Sequence, residues 1–291
     1  MKVAVLMSGG VDSSVVALLL KEKGYDVGGL TMINWEKNVA KKAEQVAHSL
    51  GISHKTVDLR KDFYDKVISY FCTTYEEGGT PNPCVECNKY IKFGALLDIA
   101  LELGYDMVAT GHYARIDYDE SRNRYLLKKG IDTGKDQSYF LYGLTQKQLA
   151  HTLFPLGDLH KTEVKEIARQ NGMAVAENKE SQEICFIPGD YRDFIQNRIK
   201  YKPGKVIDLE GNIMGNHRGL PFYTIGQRKG LGVSFGKPMY VTKIDTVHNE
   251  ITLGEEGSQY SNSLIASDLN FIPFDTLDKE MQITAKVRYQ S

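Results

Sequence analysis

A doubly wound α/β fold on a parallel sheet, followed by smaller β-rich parts, is what this sequence predicts. Three observations lead there. Short apolar runs alternate with helical patterns over residues 1–110, the first run ends in the glycine-bearing turn SGGVDS, and beyond residue 202 the chain becomes glycine-rich with short alternating runs. Residues 2–7 carry the pattern of a buried strand and 13–22 that of a helix stopped by Gly24. Residues 26–32 read as a second strand, 39–50 as a helix ending at Gly51, and 54–59 as a third strand. Helices follow at 62–75 and 91–103, then a strand at 107–110. Strands joined by crossover helices pair in parallel, and such sheets bind ligands beyond the C-terminal ends of their strands. Residues 137–170 read as helical with a break at Pro155, 184–187 as a short strand, and 239–244 and 250–253 as strands of a β domain. A boundary falls near residue 200, and the closing residues 286–291 read as a strand.

At 291 residues, 42% hydrophobic and 25% charged, the chain is long enough for more than one domain. No stretch reaches the roughly 18 uncharged apolar residues of a membrane span. The opening MKVAVLMSGG turns polar too soon for a signal peptide, so the expected location is the cytoplasm, with no membrane partner. Four cysteines without a secretory signal imply reduced thiols suited to redox, metal-binding or catalytic work. A net charge of −1 gives no global sign of nucleic-acid binding, so an RNA site must be a local basic patch.

The turn Ser8-Gly9-Gly10-Val11-Asp12-Ser13 carries the strongest chemical signal. Its glycines let the backbone approach a phosphate, and the helix that follows offers unpaired N–H groups and a positive dipole end. Ser8 and Ser13 add hydroxyl donors, and Asp12 suits a magnesium ion or a capping bond. The plain alternative is a strand-to-helix turn with Ser and Asp caps. The turn lacks the Gly-Lys-Ser/Thr ending of a Walker loop, which disfavours γ-phosphate transfer. It resembles the PP-loop ATP pyrophosphatases, a resemblance that implies an adenine-nucleotide α-hydrolase-like fold and attack at the α-phosphate.

Cys84 and Cys87, in TPNPCVECNK, occupy a proline-stiffened segment just ahead of a helix whose N-terminus would lower thiol pKa values. A structural zinc half-site is the alternative, but no second CxxC pair completes it. Cys185 in SQEICF reads either as a core cysteine or as a reactive thiol, whereas Cys72 shares a helical face with Ile68, Phe71 and Tyr75 and reads as packing. His112 in TGHYAR reads as structural or as a wall of the ligand site. Trp35 and Tyr113 read as base-stacking or core aromatics.

The strings SGGVDS, TPNPCVECNKYIKFG, ATGHYAR, GKDQSYFL, ICFI and GQRKGLG, with Met32, Asn34 and Trp35, together resemble the tRNA-specific 2-thiouridylase family over nearly the whole chain. The resemblance implies a PP-loop catalytic domain over residues 1–200, a small central domain over 201–258 and the start of a C-terminal β-barrel, cut short, over 259–291. It implies an ATP site from Leu6, Met7, Ser8, Gly9, Gly10, Val11, Asp12, Ser13, Met32 and Gly111, with Mg2+ accompanying ATP. Asn82, Pro83 and Cys84 would meet the target base, and Lys135, Asp136 and Gln137 the tRNA near it. Cys185 would accept a persulfide and Cys87 would be its partner nucleophile. Gln290 and Ser291 would touch tRNA. The family has an aspartate where this sequence has Cys84, so an acid/base role does not transfer; Cys84, Cys87 and Cys185 are also the three ligands that a four-iron–four-sulfur cluster needs.

The chemistry is coherent on its own terms. A uracil oxygen is a poor leaving group, adenylation makes it a good one, and sulfur can then displace AMP. The expected partners are the anticodon region of tRNA and a sulfur donor, either a persulfide carrier or cysteine desulfurase or inorganic sulfide. Arg198, Lys200, Lys202, Lys205 and the pair Arg228 and Lys229 read as phosphate contacts or as a solvated face. A thiolase acting on cytidine, an amide-forming ligase and a non-catalytic tRNA binder are the other readings.

Overall fold

The computed structural model describes residues 1–35, 38–177, 184–187, 189–232 and 236–289. In chain order it runs β1 (Lys2–Leu6), α1 (Val11–Glu22), β2 (Asp26–Ile33), α2 (Asn38–Ser49), β3 (Ser53–Asp58), α3 (Arg60–Phe63), α4 (Ser69–Glu76), α5 (Pro83–Glu86), α6 (Leu96–Glu102), β4 (Met107–Ala109), β5 (Ala114–Asp119), β6 (Arg124–Lys129), α7 (Gln146–Ala150), β7 (Thr152–Leu153) and α8 (Lys161–Gln170). Then come α9 (Tyr191–Ile195), β8 (Gly204–Ile207), β9 (Ile213–His217), β10 (Tyr240–Asp245) and β11 (Glu250–Gly254). The chain divides into two units that interleave in sequence: residues 1–66, 84–182 and 269–291 form one, and 67–83 with 183–268 the other.

The first unit holds a five-stranded parallel sheet in the order β3-β2-β1-β4-β7. Its central strand β1 buries Val3, Ala4 and Val5 completely, which is why this stretch is a continuous apolar run rather than an alternating one. The edge strand β3 is correspondingly polar and half-exposed. Helix α1 buries Val11, Val15, Val16 and Leu20 against the sheet, and α8 adds Val164 and Ala168 to the same core. Each expected helix has company the sequence pattern did not reveal. Tyr64–Ile68 forms a π-helical stretch between α3 and α4, and Cys87–Ala95 one between α5 and α6, the latter with Gly94 outside helical geometry.

Three expectations need correction. The hairpin β5–β6 was not foreseen; its turn is built by the Asp119 carboxylate, which accepts from the Ser121 and Arg122 amides, and by Asn123 at φ 51°. Residues 137–170 are not one interrupted helix: a 3₁₀ turn at Ser138–Phe140, the short α7, β7 and α8 share that span. The segment around Cys185 is a turn closed by the Ile187 amide on the Ile184 carbonyl at 2.9 Å, not a strand.

Among the described residues 255–289 there is no strand, although a barrel start and a closing strand were expected; Gln290 and Ser291 lie outside the described residues. Residues 269–289 run instead along the first unit. There Arg124 donates to the Phe271 and Ile272 carbonyls and pairs with Asp275, and Asn270 donates to the Tyr142 and Leu144 carbonyls. Backbone carbonyls satisfied by side chains in this way are not available for a strand ladder.

The second unit contains a four-stranded sheet ordered β10-β11-β8-β9, antiparallel except where β11 meets β8. The same unit has an aromatic core in which Phe71, Phe186 and Phe194 meet edge to face with centroids 5.3–6.0 Å apart. Phe186 is 1% exposed. Phe186→Ala should therefore cost about 3–5 kcal/mol, read as an earlier unfolding transition of this unit in denaturant, with the transition of the parallel-sheet unit unmoved.

Candidate active site at the phosphate loop

The end of β1 and the start of α1 enclose an open cleft of about 220 Å³. Leu6, Met7, Ser8, Asp12 and Ser13 line it, with Leu30 and Met32 from β2, Lys92 and Leu96 from the helical stretch after Cys87, and Thr110, Gly111, His112 and Gln137 from beyond β4. The cleft thus sits off the C-terminal ends of the strands, as the topology requires. Gly9 has φ 72°, and a Cβ there would stand 2.6 Å from Lys42 Cβ, so the loop needs glycine for both its conformation and its approach to α2. A Cβ on Gly111 would stand 2.8 Å from Asp12 Cβ, so β4 and α1 also meet without a side chain between them.

The cleft fits a phosphate on a structural ground. Gly10 is the N-cap of α1 and provides no side-chain cap, and Ser13 and Ser14 turn their hydroxyls onto the Gly10 carbonyl at 3.1 and 2.8 Å. The first amides of α1 are thereby left to an anion, favoured by the helix dipole. The Ser8 amide donates to Ser13 Oγ at 3.3 Å, which fixes the shape of the loop.

Asp12 points into a polar cluster. Lys161 Nζ donates to its two carboxylate oxygens at 2.6 and 2.7 Å, and the Tyr113 hydroxyl donates to Oδ1 at 2.9 Å. Lys161 comes from the start of α8, where Glu163 accepts from the His160 amide and Asp132 from the Lys161 amide. The lysine side chain is 9% exposed and that of Asp12 32%. The carboxylate expected to hold magnesium or to cap the helix is therefore taken up by an ammonium. Tyr113, 3% exposed, is a buried orienter of Asp12 rather than a stacking platform. His112 stands 2.7 Å from Thr110 Oγ1; burial holds its pKa well below the ordinary range and the charge of Lys92 adds to this, so it is a neutral wall of the cleft.

The residues expected to contact tRNA form a tight loop beside the cleft. Asp136 accepts from the Gly130 amide and from the Ser138 amide and hydroxyl, and Gln137 exchanges hydrogen bonds with the Tyr113 backbone in both directions. Two of the three are thus partly occupied in holding the loop itself. Lys135 is half-buried.

The cysteines stand differently from the sequence expectation. The helix starts at Pro83, suited to a first helical position, so Cys84 lies in its first turn and Cys87 opens the π-helical stretch. Cys84 keeps an exposed face, Asn82 is half-buried, and Pro83 is buried. The protein packed around the Cys84 sulfur raises its thiol pKa, and Lys92 offsets this only in part, so the lowering expected from the helix N-terminus is overridden by desolvation. Cys87 is 8% exposed, and the neighbouring Asn88 donates to the Phe140 carbonyl at 3.0 Å, tying this helix to the loop after Gln137. In the second unit, Cys185 is exposed on its turn while Phe186 and Ile187 anchor it in the core, and Cys72 is half-buried with its pKa raised by burial. Among the described residues no group of three His, Cys, Asp or Glu side chains is arranged to hold a metal ion.

Sequence reasoning missed Lys161, Lys92 and Thr110. A lysine at the start of a helix some 150 residues from its partner carries no local signal. Lys92 lay within a quoted motif but was given no role.

Comparison with known proteins agrees with this architecture. A family model described as the tRNA methyl transferase HUP domain matches residues 1–189, and one described as the tRNA methyl transferase PRC-barrel domain matches residues 192–255. The chain is 56% identical over 289 residues to a tRNA-specific 2-thiouridylase MnmA of Syntrophomonas wolfei, covering 99% of this chain and 86% of the relative. It is 52% identical to a tRNA-specific 2-thiouridylase MnmA 2 of a Thermoanaerobacter species, covering 99% and 84%. It is 48% identical to a tRNA-specific 2-thiouridylase MnmA of Clostridioides difficile, covering 100% and 85%.

Replacing Lys161 by Met leaves Asp12 charged and partly buried without its cation. A loss of roughly 1.5–3 kcal/mol follows, read in thermal unfolding, together with weaker ATP binding; Lys161→Arg should recover part of both.

Proposed function

The chain belongs to the tRNA-specific 2-thiouridylase family, and we propose that it uses ATP to exchange O2 of the wobble uridine of tRNA for sulfur. One observation carries this reading. The helical stretch that bears Cys84 and Cys87 also sends Lys92 and Leu96 into the phosphate-loop cleft, so nucleotide activation and thiol chemistry share a wall.

ATP would lay its phosphates on the Ser8–Ser13 turn and its purine against Leu6, Leu30, Met32 and Leu96. Magnesium would arrive on those phosphates rather than on Asp12, whose oxygens are engaged by Lys161. Uridine O2 attacks the α-phosphorus, the bond to the bridging oxygen breaks, pyrophosphate leaves with the electron pair, and N3 gives its proton to water. The terminal sulfur of a Cys185 persulfide then adds at C2, and AMP leaves with the electron pair of the C2–O bond. The Cys87 thiolate attacks Cys185 Sγ; the S–S bond breaks, sulfur stays on C2 as the thiocarbonyl, and N3 regains a proton. A Cys87–Cys185 disulfide results, which an external thiol reductant must reopen.

The persulfide would come from a persulfide carrier or a cysteine desulfurase in the cytoplasm; no helix among the described residues is long and apolar enough to cross a membrane. Exposed Arg228 and Lys229, with Lys200, Lys202 and Lys205, offer backbone contacts to tRNA. Lys135, Asp136 and Gln137 would steady the flipped base's neighbours, with Asn82, Pro83 and Cys84 meeting the base itself.

The alternative sulfur route is a cluster on Cys84, Cys87 and Cys185, which would leave one iron open to inorganic sulfide. No step is routed through a cluster.

Cys87→Ser and Cys185→Ser should each release pyrophosphate at near the parental rate in the presence of tRNA yet form no 2-thiouridine, as nucleoside mass spectrometry would read. Retained thiolation in either variant contradicts the relay, and protein that thiolates with sulfide only after cluster reconstitution, and not with a persulfide donor when cluster-free, would favour the cluster. The Cys84 thiol should alkylate slowly at neutral pH, its rate still climbing with pH where that of an ordinary thiol levels off, because its pKa is raised; fast labelling at pH 7 would contradict that assignment.

A further inference from the structure

We propose that Lys92 is the α-phosphate ligand of this site, a catalytic residue that holds the anionic phosphate joining nucleotide to base through both halves of the reaction. The inference rests on the functional reading above and adds a residue to it.

Lys92 and Asp12 are the charged side chains lining the cleft. Asp12 is compensated by Lys161 at 2.6 Å. Lys92 is not compensated: among the described residues its ammonium makes no hydrogen bond and no ion pair, though the side chain is half-buried. A partly buried ammonium without a counter-charge is costly unless an anion completes it. The net effect is one uncompensated positive charge in a cleft that the uncapped N-terminus of α1 also lines.

The position of that charge selects which phosphate it meets. The loop and helix terminus on one side suit the departing pyrophosphate. Lys92 enters from a different element, the helical stretch that carries Cys84 and Cys87, and its field reaches both Cys84 and His112. With the loop taking the pyrophosphate, the one uncompensated cation of the cleft is assigned to the phosphorus that reacts. As uridine O2 bonds to that phosphorus, an ammonium there would neutralise charge on the non-bridging oxygens. When sulfur adds at C2 and the C2–O bond breaks, the same ammonium would receive the AMP dianion as leaving group. The π-helical turn supports this placement, since widening the helix re-aims the residues that follow it, and such turns recur at functional sites.

The test compares AMP with adenosine, ligands that differ only in the α-phosphate, by titration calorimetry on the full chain. Lys92→Met should weaken AMP binding by roughly tenfold or more, the loss of one charge-assisted hydrogen bond, leave adenosine binding unchanged, and slow tRNA-dependent ATP–pyrophosphate exchange at least in proportion. Lys92→Arg should restore part of the AMP affinity. Equal loss for AMP and adenosine would make Lys92 merely structural, and unchanged AMP affinity would remove it from the site; either overturns the proposal. Because AMP binding needs neither tRNA nor sulfur, a protein that fails to thiolate but passes this test refutes the thiolase reading and leaves Lys92 in place.

Discussion

Asp12 stands in the first turn of α1 with the Lys161 ammonium on both oxygens and the Tyr113 hydroxyl on one, so a single carboxylate joins elements that lie 101 and 149 residues away in sequence. The pairing decides whether an anion can bind at all. A bare carboxylate about 4 Å from a phosphate would repel it by roughly 4 kcal/mol at the effective dielectric of a protein surface. A helix N-terminus returns only about 0.3–1 kcal/mol per charge. With Lys161 in place the repulsion is cancelled before the ligand arrives, and the uncapped amides of α1, together with Lys92, set the sign of the cleft.

The thiols are arranged for unlike tasks. Cys185 is carried on an exposed turn held by the buried Phe186 and Ile187, which would suit the sulfur-accepting role proposed for it. Cys87 is almost fully covered and emerges from a helix pinned by Asn88 to the Phe140 carbonyl, which would suit the proposed nucleophile that acts once and in one direction. Desolvation of the Cys84 sulfur outweighs the charge of Lys92 and raises its pKa, so in the proposed reaction the residue standing in the family's aspartate position would offer the base a neutral neighbour and no carboxylate.

Much of this was legible in the residues. The parallel sheet could be read because β1 and β2 are buried on both faces, α1 is apolar almost all round and α2 carries an apolar stripe, and SGGVDS announced the phosphate loop because only glycine tolerates the conformation and approach found at Gly9. The apolar run 184–187 misled, since the short string of apolar residues around Cys185 looks the same in a turn as in a strand. The hairpin at 114–129 was obscured by its charged residues, although Ile116, Tyr118, Tyr125 and Leu127 alternate as a hairpin should. Lys161 was invisible because long-range ion pairs leave no periodicity. The interleaving of the two units likewise depends on which helices find a common core.

The most direct test of the account is to incubate the protein with ATP, unmodified tRNA and a persulfide donor, and to analyse the nucleosides by mass spectrometry while counting AMP released. The account predicts 2-thiouridine at the wobble position with one AMP formed for each sulfur inserted. Sulfur on cytidine, or 2-thiouridine formed without AMP release, would contradict it.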